Sequence, residues 1–519
     1  MKSRLNVVIL GGGTAGWMCG AALASVLKAA RPDGLCSIRL IESSEIATVG
    51  VGEATLPHIK TFNDLIGIDE ADFMCKTHAT FKLGIEFVGW GRESDSYIHP
   101  FGTFGQPFAG VEFQHYWTRG RQIGLDARLE QYSYAVMAAR GRKFDFPSED
   151  LASIKSTYSY AYHFDAALYA DYLRAFSEAR GLVRTEGKVV HVETDAESGD
   201  IRSLMLESGE VVAGDLFIDC SGFRGLLIDG SQKVAWQDWS AWLPCDRALA
   251  VPSRLAGELL PFTRATALEA GWQWRIPLQH RTGNGYVYSS AFISDEAAAE
   301  RLMGNLDGAA LADPKPLRFR AGRRVASWSR NCIAIGLAGG FLEPLESTSI
   351  YLVQVAITNL LDLFPAKRID HHLRTEFNRL VDDEYDRVRD FLILHYHANA
   401  RSKGELWTYT REMAVPDSLS TKLEQFRRRG YLMRHSHGLF SSDSWLAVLA
   451  GQSVLPRGYH RLADHMDTAT LTEHLNRLRE RIGSTVGSMP SHEAFIQDYC
   501  SLGGASPPAP GFVPESVAQ

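Results

Sequence analysis

The stretch Leu5–Gly16, LNVVILGGGTAG, decides the fold of this 519-residue chain. Its first half is a short, continuous apolar run, which is typical of a strand buried on both faces of a parallel sheet. The spacing G-x-G-x-x-G follows at once, in Gly11, Gly13 and Gly16. The run Trp17–Ala30 then predicts a helix. Because glycine allows a tight turn and the close approach of a pyrophosphate to a helix N-terminus, the order strand, turn and helix predicts a dinucleotide site.

Three later segments indicate which dinucleotide binds. The strand Ser37–Ile41 leads to Glu42, and an acidic residue at this place can bind both ribose hydroxyls. Asp215–Cys220 predicts another strand, and the strand Asn331–Ile335 runs into the glycine-rich turn 336–340. A distant turn of this kind suits a flavin dinucleotide, with the first glycines on the ADP half and the late turn near the isoalloxazine. Because the sequence has no second G-x-G-x-x-G, the pattern favours FAD over NAD(P).

The composition restricts the class of protein. The formal net charge is −7 with both signs interspersed, so nothing in it favours nucleic acid or an acidic membrane surface as a partner. Seven cysteines are scattered without a C-x-x-C pair, which predicts reduced thiols and a cytoplasmic protein. The N-terminus runs directly into a strand, and no apolar run is long enough to span a membrane.

One lysine stands in a segment that otherwise predicts a buried strand. In Phe81–Trp90, FKLGIEFVGW, apolar residues alternate, and Lys82 points to the face opposite Phe81 and Leu83. If that face meets water, Lys82 is an ordinary surface lysine. If it meets a dry pocket, Lys82 is placed for chemistry, since burial shifts the pKa of a lysine readily. The alternation alone favours the surface interpretation.

Histidine pairs and a hydroxyl-rich stretch are further candidates for a site. In His395-Tyr396-His397 and His435-Ser436-His437 the two histidines point to different faces of a helix, so surface or internally bonded histidines are preferred over a metal site. The stretch Phe341–Ile350, FLEPLESTSI, places Glu343 and Glu346 just after the late glycine turn. Its hydroxyl residues and amides ahead of a helix predict an anion-binding nest.

Five motifs together resemble the flavin-dependent halogenases of the tryptophan halogenase family, from the N-terminus to about residue 400. They are GGGTAG at Gly11–Gly16, VGEAT at Val51–Thr55, Phe81-Lys82, W-x-W-x-I-P at Trp272–Pro277 and PLESTSI at Pro344–Ile350. W-x-W-x-I-P is the sharpest of them, because ordinary flavin monooxygenases share the glycines but lack it. With this resemblance, the preferred interpretation of Lys82 changes from surface to catalysis.

The resemblance implies an α/β (α+β) fold. A Rossmann-like FAD-binding domain of the flavin monooxygenase type would carry an associated substrate sheet and a helical C-terminal subdomain. The predicted FAD-binding module is residues 1–365, with the substrate-sheet segments interleaved. Long amphipathic patterns such as His371–Leu394 predict that residues 366–502 form the helical subdomain, which covers the substrate site. Residues 503–519, rich in Gly, Pro and Ala, predict a mobile tail.

The resemblance also implies a role for each site residue. In the family, reduced FAD, oxygen and halide give hypohalous acid, which passes through a closed tunnel to a lysine, here Lys82. Lys82 would either hydrogen-bond the hypohalous acid or carry the halogen as a haloamine. Glu346 would polarise the oxidant and act as general base, while Thr348 and Ser349 would bind halide. The implied FAD contacts are Gly11, Gly13, Thr14, Ala15, Gly16, Glu42, Val51, Gly52, Glu53, Ala54, Val189, Gly336, Leu337 and Ile350. The implied residues of the substrate pocket, or of the wall between substrate and flavin, are His99, Phe101, Trp272, Trp274 and Phe440.

One stretch departs from the tryptophan-specific members of the family. Where they hold a tyrosine pair, a glutamate and a Phe-Trp pair, this chain has YLMRHSHGLFSSDSW at Tyr431–Trp445. Phe440 could replace a covering ring, but His435 stands near the place of the glutamate and no tyrosine pair is present. Because a buried ammonium needs a partner, an indole or another electron-rich aromatic is predicted in preference to free tryptophan. Ser349, where some members have glycine, is a smaller departure.

The predicted function is therefore a two-component halogenase that uses chloride or bromide on an indole-like or phenolic aromatic. A separate NAD(P)H-dependent flavin reductase would supply the reduced FAD, if only by diffusion of the flavin, and a homodimer stays open. One alternative is a flavin monooxygenase, which would hydroxylate its substrate even when halide is present. The other is a flavin-binding protein without catalysis, which would form no product.

Overall fold

The structure is a computed structural model that describes residues 4–31, 33–45, 52–126, 128–366, 369–433 and 438–501. Val51, His435 and the predicted tail 503–519 lie outside these residues.

In the described part of the chain, strands β1 to β22 are Leu5–Leu10, Cys36–Glu42, Gly52–Ala54, Thr80–Lys82, Gly84–Val88, Ser96–Pro100, Ala161–Asp165, Val183–Glu186, Val189–Thr194, Ile201–Leu206, Val211–Ala213, Leu216–Asp219, Trp236–Asp238, Arg247–Ser253, Thr263–Leu268, Gly271–Pro277, Thr282–Tyr288, Lys315–Arg318, Gly322–Arg324, Trp328–Ser329, Cys332–Ala334 and Gly340–Phe341. Helices α1 to α14 are Thr14–Val26, His58–Ile66, Glu70–Lys76, Phe113–Gln122, Tyr134–Arg140, Ala166–Glu178, Asp295–Gly304, Thr348–Asp362, His371–His397, Glu405–Glu412, Asp417–Arg429, Ser442–Gly451, Thr468–Gly487 and His492–Ser501.

The first of two compact units contains Met1–Ala79, Phe164–Asp246 and Arg318–Asp386. Its main sheet has the order β20-β21-β12-β1-β2-β8 and is parallel except where β20 meets β21. β1 lies between β2 and β12, which agrees with its continuous apolar sequence, since an interior strand of a parallel sheet is covered on both faces. The predicted strands of this sheet are found to within one residue at either end.

The first helix differs in its bounds from the prediction. α1 starts at Thr14 rather than Trp17 and ends at Val26 rather than Ala30. It starts early because the helix opens inside the glycine turn, with Gly13 as its N-cap residue. It ends early because Lys28 takes a left-handed φ of 55°, which breaks the helix.

The second unit contains Thr80–His163, Arg247–Leu317 and Arg387–Gln519. Its main sheet has the order β18-β14-β17-β16-β15-β5-β6. From β14 to β6 the neighbouring strands are antiparallel, except that β15 and β5 are parallel. The short strand β4 pairs instead with β7, whose first three residues belong to this unit.

The pairing register divides the side chains of this large sheet between two faces, because paired residues point to the same side. One face, here called the aromatic face, is continuous across four strands. It carries Trp272, Trp274, Ala265, Phe87 and His99. The opposite face carries the buried Glu86, which accepts a hydrogen bond of 2.8 Å from Arg264 and another from Arg140. The W-x-W spacing therefore aims both tryptophans at one side of the sheet, as predicted.

The segment Phe81–Trp90 forms two strands, and the prediction of one continuous strand is wrong. β4 ends at Lys82 and β5 starts at Gly84. Between them, Leu83 donates a backbone hydrogen bond to Pro261 and accepts one from Phe101, so the chain changes its partners at this residue. The break gives Lys82 a different neighbourhood from the apolar residues that follow it.

The described residues from His371 to Ser501 form helices and turns and add no strand to any sheet, as the amphipathic patterns predicted. α9 runs from His371 to His397, slightly beyond the predicted Leu394. The predicted division of the chain at residue 365 stays a prediction. Among the described residues, no helix combines the length and the apolar character that crossing a membrane requires.

Candidate functional site

The turn between β1 and α1, in the first unit, cannot accept side chains. Gly11 has a φ of 114°, and a Cβ atom on it would lie 2.3 Å from the carbonyl oxygen of Cys220. A Cβ atom on Gly16 would lie 1.9 Å from the carbonyl oxygen of Gly11. Glycine is therefore required at both positions. The bare backbone and the positive end of the α1 dipole fit a pyrophosphate.

Glu42 lies over this turn, as expected for a residue that binds ribose. A Cβ atom on Gly12 would lie 1.5 Å from Oε2 of Glu42, so the carboxylate reaches the glycine backbone. Arg184 of β8 donates a hydrogen bond to Oε1 of Glu42 and so holds the carboxylate at the carboxyl end of β2. Oε2 therefore lies beside the glycine turn, where a ribose next to the pyrophosphate would be expected.

The late glycine-rich turn meets the first one. Gly336 has a φ of 72°, and a Cβ atom on it would lie 2.9 Å from the Cβ atom of Ala15 in the first turn of α1. Leu337 follows within the 3₁₀ turn Gly336–Ala338, and Ile350 is buried in α8. Two turns more than 300 positions apart thus share one helix start, and this arrangement fits a flavin dinucleotide better than a single phosphate.

The other predicted FAD contacts lie in the same unit, at a distance along the chain from these turns. Gly52, Glu53 and Ala54 form β3, and Val189 begins β9 in a separate sheet with β10 and β11. Their contact with FAD stays a prediction, and Val51 lies outside the described residues.

Glu346 and the predicted halide residues lie at the N-terminus of α8. Glu346 ends the 3₁₀ turn Pro344–Glu346, and Ser347, with a left-handed φ of 59°, turns the chain into the helix without capping it by its side chain. Glu346 and Thr348 are fully buried, and Ser349 is half-buried. Oγ1 of Thr348 has no hydrogen-bond partner among the described residues. A buried helix start with an unsatisfied hydroxyl fits a small anion.

The second unit holds the lysine. Lys82 is 0% exposed, and its Nζ lies 5.1 Å from the centroid of the Phe101 ring. The register of β4 and β7 places Lys82, Thr80 and His163 on one face of that ladder. Burial, and next the charge of Lys82, hold the pKa of His163 well below its ordinary value. The enclosed interpretation of Lys82 therefore replaces the surface interpretation that the alternation favoured.

Two of the predicted pocket residues, His99 and Phe440, form an aromatic group with two rings that the sequence analysis missed, Phe391 and Trp445. The ring of Phe440 stacks on Phe391 at 3.8 Å between centroids, and His99 lies 5.7 Å from Phe391 and 6.1 Å from Phe440. Trp445 packs edge-on against Phe391 at 5.2 Å. Trp272 and Trp274 lie 6.1 Å apart on the aromatic face. Phe391 stands in an amphipathic helix, and no local signal separated it from ordinary core residues.

A carboxyl group in the Tyr431–Trp445 stretch was also missed. Asp443, in the first turn of α12, accepts a hydrogen bond of 2.9 Å from the backbone N–H of Phe104. Burial raises the pKa of Asp443 to about 6. From the sequence, Asp443 resembles an ordinary acidic residue in the first turn of a helix, which is why it was not singled out.

The histidine pairs do not form a metal site among the described residues. His395 is buried, and its Nδ1 lies 2.8 Å from the backbone oxygen of Phe391, as expected for an internally bonded histidine. His435 and His437 lie outside the described residues. The one group with metal-ligand spacing in the described chain, Asp370, His371 and His372, is exposed to solvent.

Comparisons with known proteins agree with this arrangement. Residues 6–468 match the family model described as tryptophan halogenase. Tryptophan 6-halogenase SttH from Streptomyces toxytricini is 36% identical over 95% of this chain and 97% of that protein. The solved structure of Xcc4156, a flavin-dependent halogenase from Xanthomonas campestris, is 45% identical with a TM-score of 0.92, over 96% of this chain and 99% of that one. BrvH, a flavin-dependent halogenase from Brevundimonas sp. BAL3, is 44% identical with the same TM-score and coverage.

Proposed function

The chain belongs to the tryptophan halogenase family of flavin-dependent enzymes, and from this premise we propose that it halogenates an indole or an indole derivative through Lys82. The complete burial of Lys82 beside Phe101 carries the proposal. An enclosed site keeps the oxidant from escaping into bulk water and reacting unselectively, and an enclosed amine can hold it there. A surface lysine could not have this role.

The first unit would bind the cofactor and the halide. Reduced FAD, when bound, supplies two of the four electrons that reduce oxygen, and the halide ion supplies the other two and leaves as hypohalous acid. The turns at Gly11 and Gly336 would hold the dinucleotide through backbone contacts, with Glu42 on the ribose. The start of α8, at Thr348 and Ser349, would hold the chloride or bromide ion.

Lys82 and Glu346 would act on the hypohalous acid. Lys82 either donates a hydrogen bond to it or exchanges an N–H proton for the halogen, with release of water. A carbon atom of the electron-rich ring then forms the bond to halogen, while the O–halogen bond breaks and leaves hydroxide, or the N–halogen bond breaks and leaves the amine of Lys82. Glu346 would orient the oxidant and, as general base, take the proton that this ring carbon loses. Both roles follow the position of these residues in the family motifs.

The aromatic group supports an indole in preference to free tryptophan. Phe440, Phe391 and His99 pack together as a buried aromatic group, and such surroundings suit a planar aromatic substrate. The relatives named only as flavin-dependent halogenases, at 44% and 45% identity, are more similar to this chain than SttH, named a tryptophan 6-halogenase, at 36%. A separate flavin reductase, in the same cytoplasm, would deliver the reduced FAD.

A substrate panel tests the proposed function. The protein is incubated with FAD, a flavin reductase, NADH, oxygen and either bromide or chloride, and products from indole, substituted indoles, phenols and free tryptophan are read by mass spectrometry. We expect halogenated indoles and little or no halotryptophan. Halotryptophan as the main product would contradict the substrate class.

The same panel separates the two alternatives. A flavin monooxygenase would give hydroxylated aromatics in the presence of halide. A flavin-binding protein without catalysis would give no product from any member of the panel, although it would still bind FAD. Either result would overturn the assignment of Lys82.

A further inference from the structure

The strand that carries Lys82 has little support from its own sheet. β4 is three residues long and pairs with β7 along one edge. A ladder this short contributes little stability and cannot by itself hold a side chain in one place. Two buried histidines, His163 and His492, form side-chain hydrogen bonds with this strand, in addition to the bond from Thr80 to Pro277.

We infer that His163 and His492 act as a clamp of two neutral imidazoles that positions Lys82 for halogen transfer. This inference rests on the proposed function, because it gives Lys82 its part in the reaction. Neither histidine belongs to the motifs by which the family was recognised. Both are positioning residues, since each touches β4 and neither is proposed to touch substrate.

The hydrogen bonds around His163 define its tautomer. Thr80 Oγ1 lies 2.8 Å from the backbone oxygen of Pro277, to which it can only donate. Thr80 Oγ1 must therefore accept the hydrogen bond of 3.0 Å that joins it to Nδ1 of His163, so Nδ1 carries the proton. In the neutral ring, Nε2 is then the acceptor for the hydroxyl of Thr263, at 2.9 Å. The chain of bonds runs from Thr263 through His163 and Thr80 to Pro277, the last residue of the W-x-W-x-I-P motif.

The hydrogen bonds around His492 define the same tautomer. Its Nδ1 lies 3.0 Å from the backbone oxygen of Leu259, so this nitrogen donates. Its Nε2 accepts a hydrogen bond of 3.1 Å from the backbone N–H of Phe81, the residue before Lys82. His492 begins α14, so the last described helix reaches back 411 positions to the lysine strand.

The bonds of His492 require a neutral ring. A charged His163 could still donate to the hydroxyls of Thr80 and Thr263, so it is the complete burial of this ring that keeps it neutral. An imidazolium has a proton on each nitrogen, so a charged His492 would face the N–H of Phe81 with a second donor. Burial lowers the pKa of His492 to about 4 and holds that of His163 well below the ordinary value, the latter helped by the charge of Lys82. Burial therefore keeps each Nε2 available as an acceptor.

The clamp joins β4 to the strand of the tryptophans. Thr80 lies two residues before Lys82, and its hydroxyl connects both to His163 in β7 and to Pro277 in β16. The position of Lys82 is thereby set relative to Trp272 and Trp274, which share the aromatic face of β16. Halogen transfer requires such positioning, because a displacement of about 1 Å can cost a factor of about 100 in rate.

Two substitutions at Thr80 test the clamp. Thr80→Val keeps the shape and removes the hydroxyl, whereas Thr80→Ser keeps the hydroxyl. We expect Thr80→Val to lower kcat by about tenfold or more with KM changed less than about twofold, and Thr80→Ser to stay within about threefold of wild type. We also expect Thr80→Val to release more hypohalous acid into solution for each molecule of halogenated product. A soluble 1,3-dione, which free hypohalous acid halogenates, measures this release. Two results would overturn the inference. In one, both variants lose activity to the extent that their melting temperatures fall. In the other, neither variant loses activity.

A second measurement does not depend on catalysis. Histidine ¹⁵N spectra, with signals assigned through His163→Gln and His492→Gln, should show both rings neutral and protonated at Nδ1 from pH 8 to pH 5. A charged ring or an Nε2–H tautomer in an active enzyme would overturn the clamp and leave the proposed function intact. A protein that shows both tautomers and halogenates no aromatic would overturn the proposed function, and the role of the clamp with it.

Discussion

The two units of this protein build their sites in different ways. In the first unit the glycine turns at Gly11 and Gly336 and the start of α8 offer backbone groups, so the main chain would hold the proposed ligands. In the second unit the candidate site consists of side chains on separate strands and loops, among them Lys82, Phe101 and His99. A site made of backbone groups can be recognised in the sequence from a short run of consecutive residues. A site made of side chains can be recognised only when it is known which strands and helices become neighbours.

The difference also predicts how each site fails. A backbone site is damaged by adding atoms, because a new Cβ fills the space that the ligand or the neighbouring main chain needs. A side-chain site is damaged by removing one reactive group, and the surrounding unit stays folded. Substitutions in the two units should therefore separate flavin binding from halogen transfer.

The largest effect is expected from Lys82→Ala in the second unit. Halogenation should fall by a factor on the order of 10³ or more, because the amine proposed to hold the oxidant is gone. FAD binding, measured by fluorescence titration, should be unchanged, since the proposed flavin contacts lie in the first unit. Lys403→Ala, at an exposed lysine of the same unit, is the matched control and should keep wild-type activity. Normal product formation by Lys82→Ala would remove the central claim.

A smaller effect, on flavin binding rather than on halogen transfer, is expected from Gly336→Ala in the first unit. Alanine is strained at a φ of 72°, and its Cβ would press on Ala15 at the start of α1. We expect the Kd for FAD to rise by about tenfold, which is about 1.4 kcal/mol. The control is Gly67→Ala, where φ is 81° and no atom lies within 4 Å of the added Cβ. It should lower Tm through the same backbone strain and leave the Kd for FAD unchanged; equal weakening by both variants would refute the contact of the late turn with the cofactor.

The smallest effect concerns the protonation of a side chain in the second unit. The pKa of Asp443 is raised to about 6 in the folded protein, so its ionisation opposes folding as the pH rises from about 4 to 6. Asp443→Asn should therefore stabilise the protein by about 1 to 2 kcal/mol at pH 7 and give no gain at pH 4. Urea unfolding at the two pH values measures this.

Asp467→Asn is the control for that experiment. Asp467 caps α13 and is exposed. Hydrogen bonds from Thr470 lower its pKa, whereas burial raises the pKa of Asp443. Its replacement should not stabilise the protein at pH 7. A gain for both variants would mean that charge removal in general, rather than the burial of Asp443, raises the stability.

The accuracy of the sequence predictions follows the same division. Four of the six strands of the parallel sheet were predicted, each to within one residue at either end, and the family and fold class were confirmed. The strand Phe81–Trp90 was wrong, because Leu83 exchanges its partners for Pro261 and Phe101, and no local pattern shows that exchange. Phe391, His163 and Asp443 were missed for the same reason, since each gains its importance from residues that are distant in sequence.

The order of amino acids by itself determined the first glycine turn, which is the core of the candidate nucleotide site. A strand, three glycines and a helix lie within consecutive residues, so the sequence contains this turn as one motif, although the atom that excludes a side chain at Gly11 is the distant carbonyl oxygen of Cys220. Only the tertiary structure decided that Lys82 is buried and how it is held. Its strand is completed by His163 and by His492, which lies 411 positions from Phe81, and burial is a sum over such neighbours that no periodicity contains.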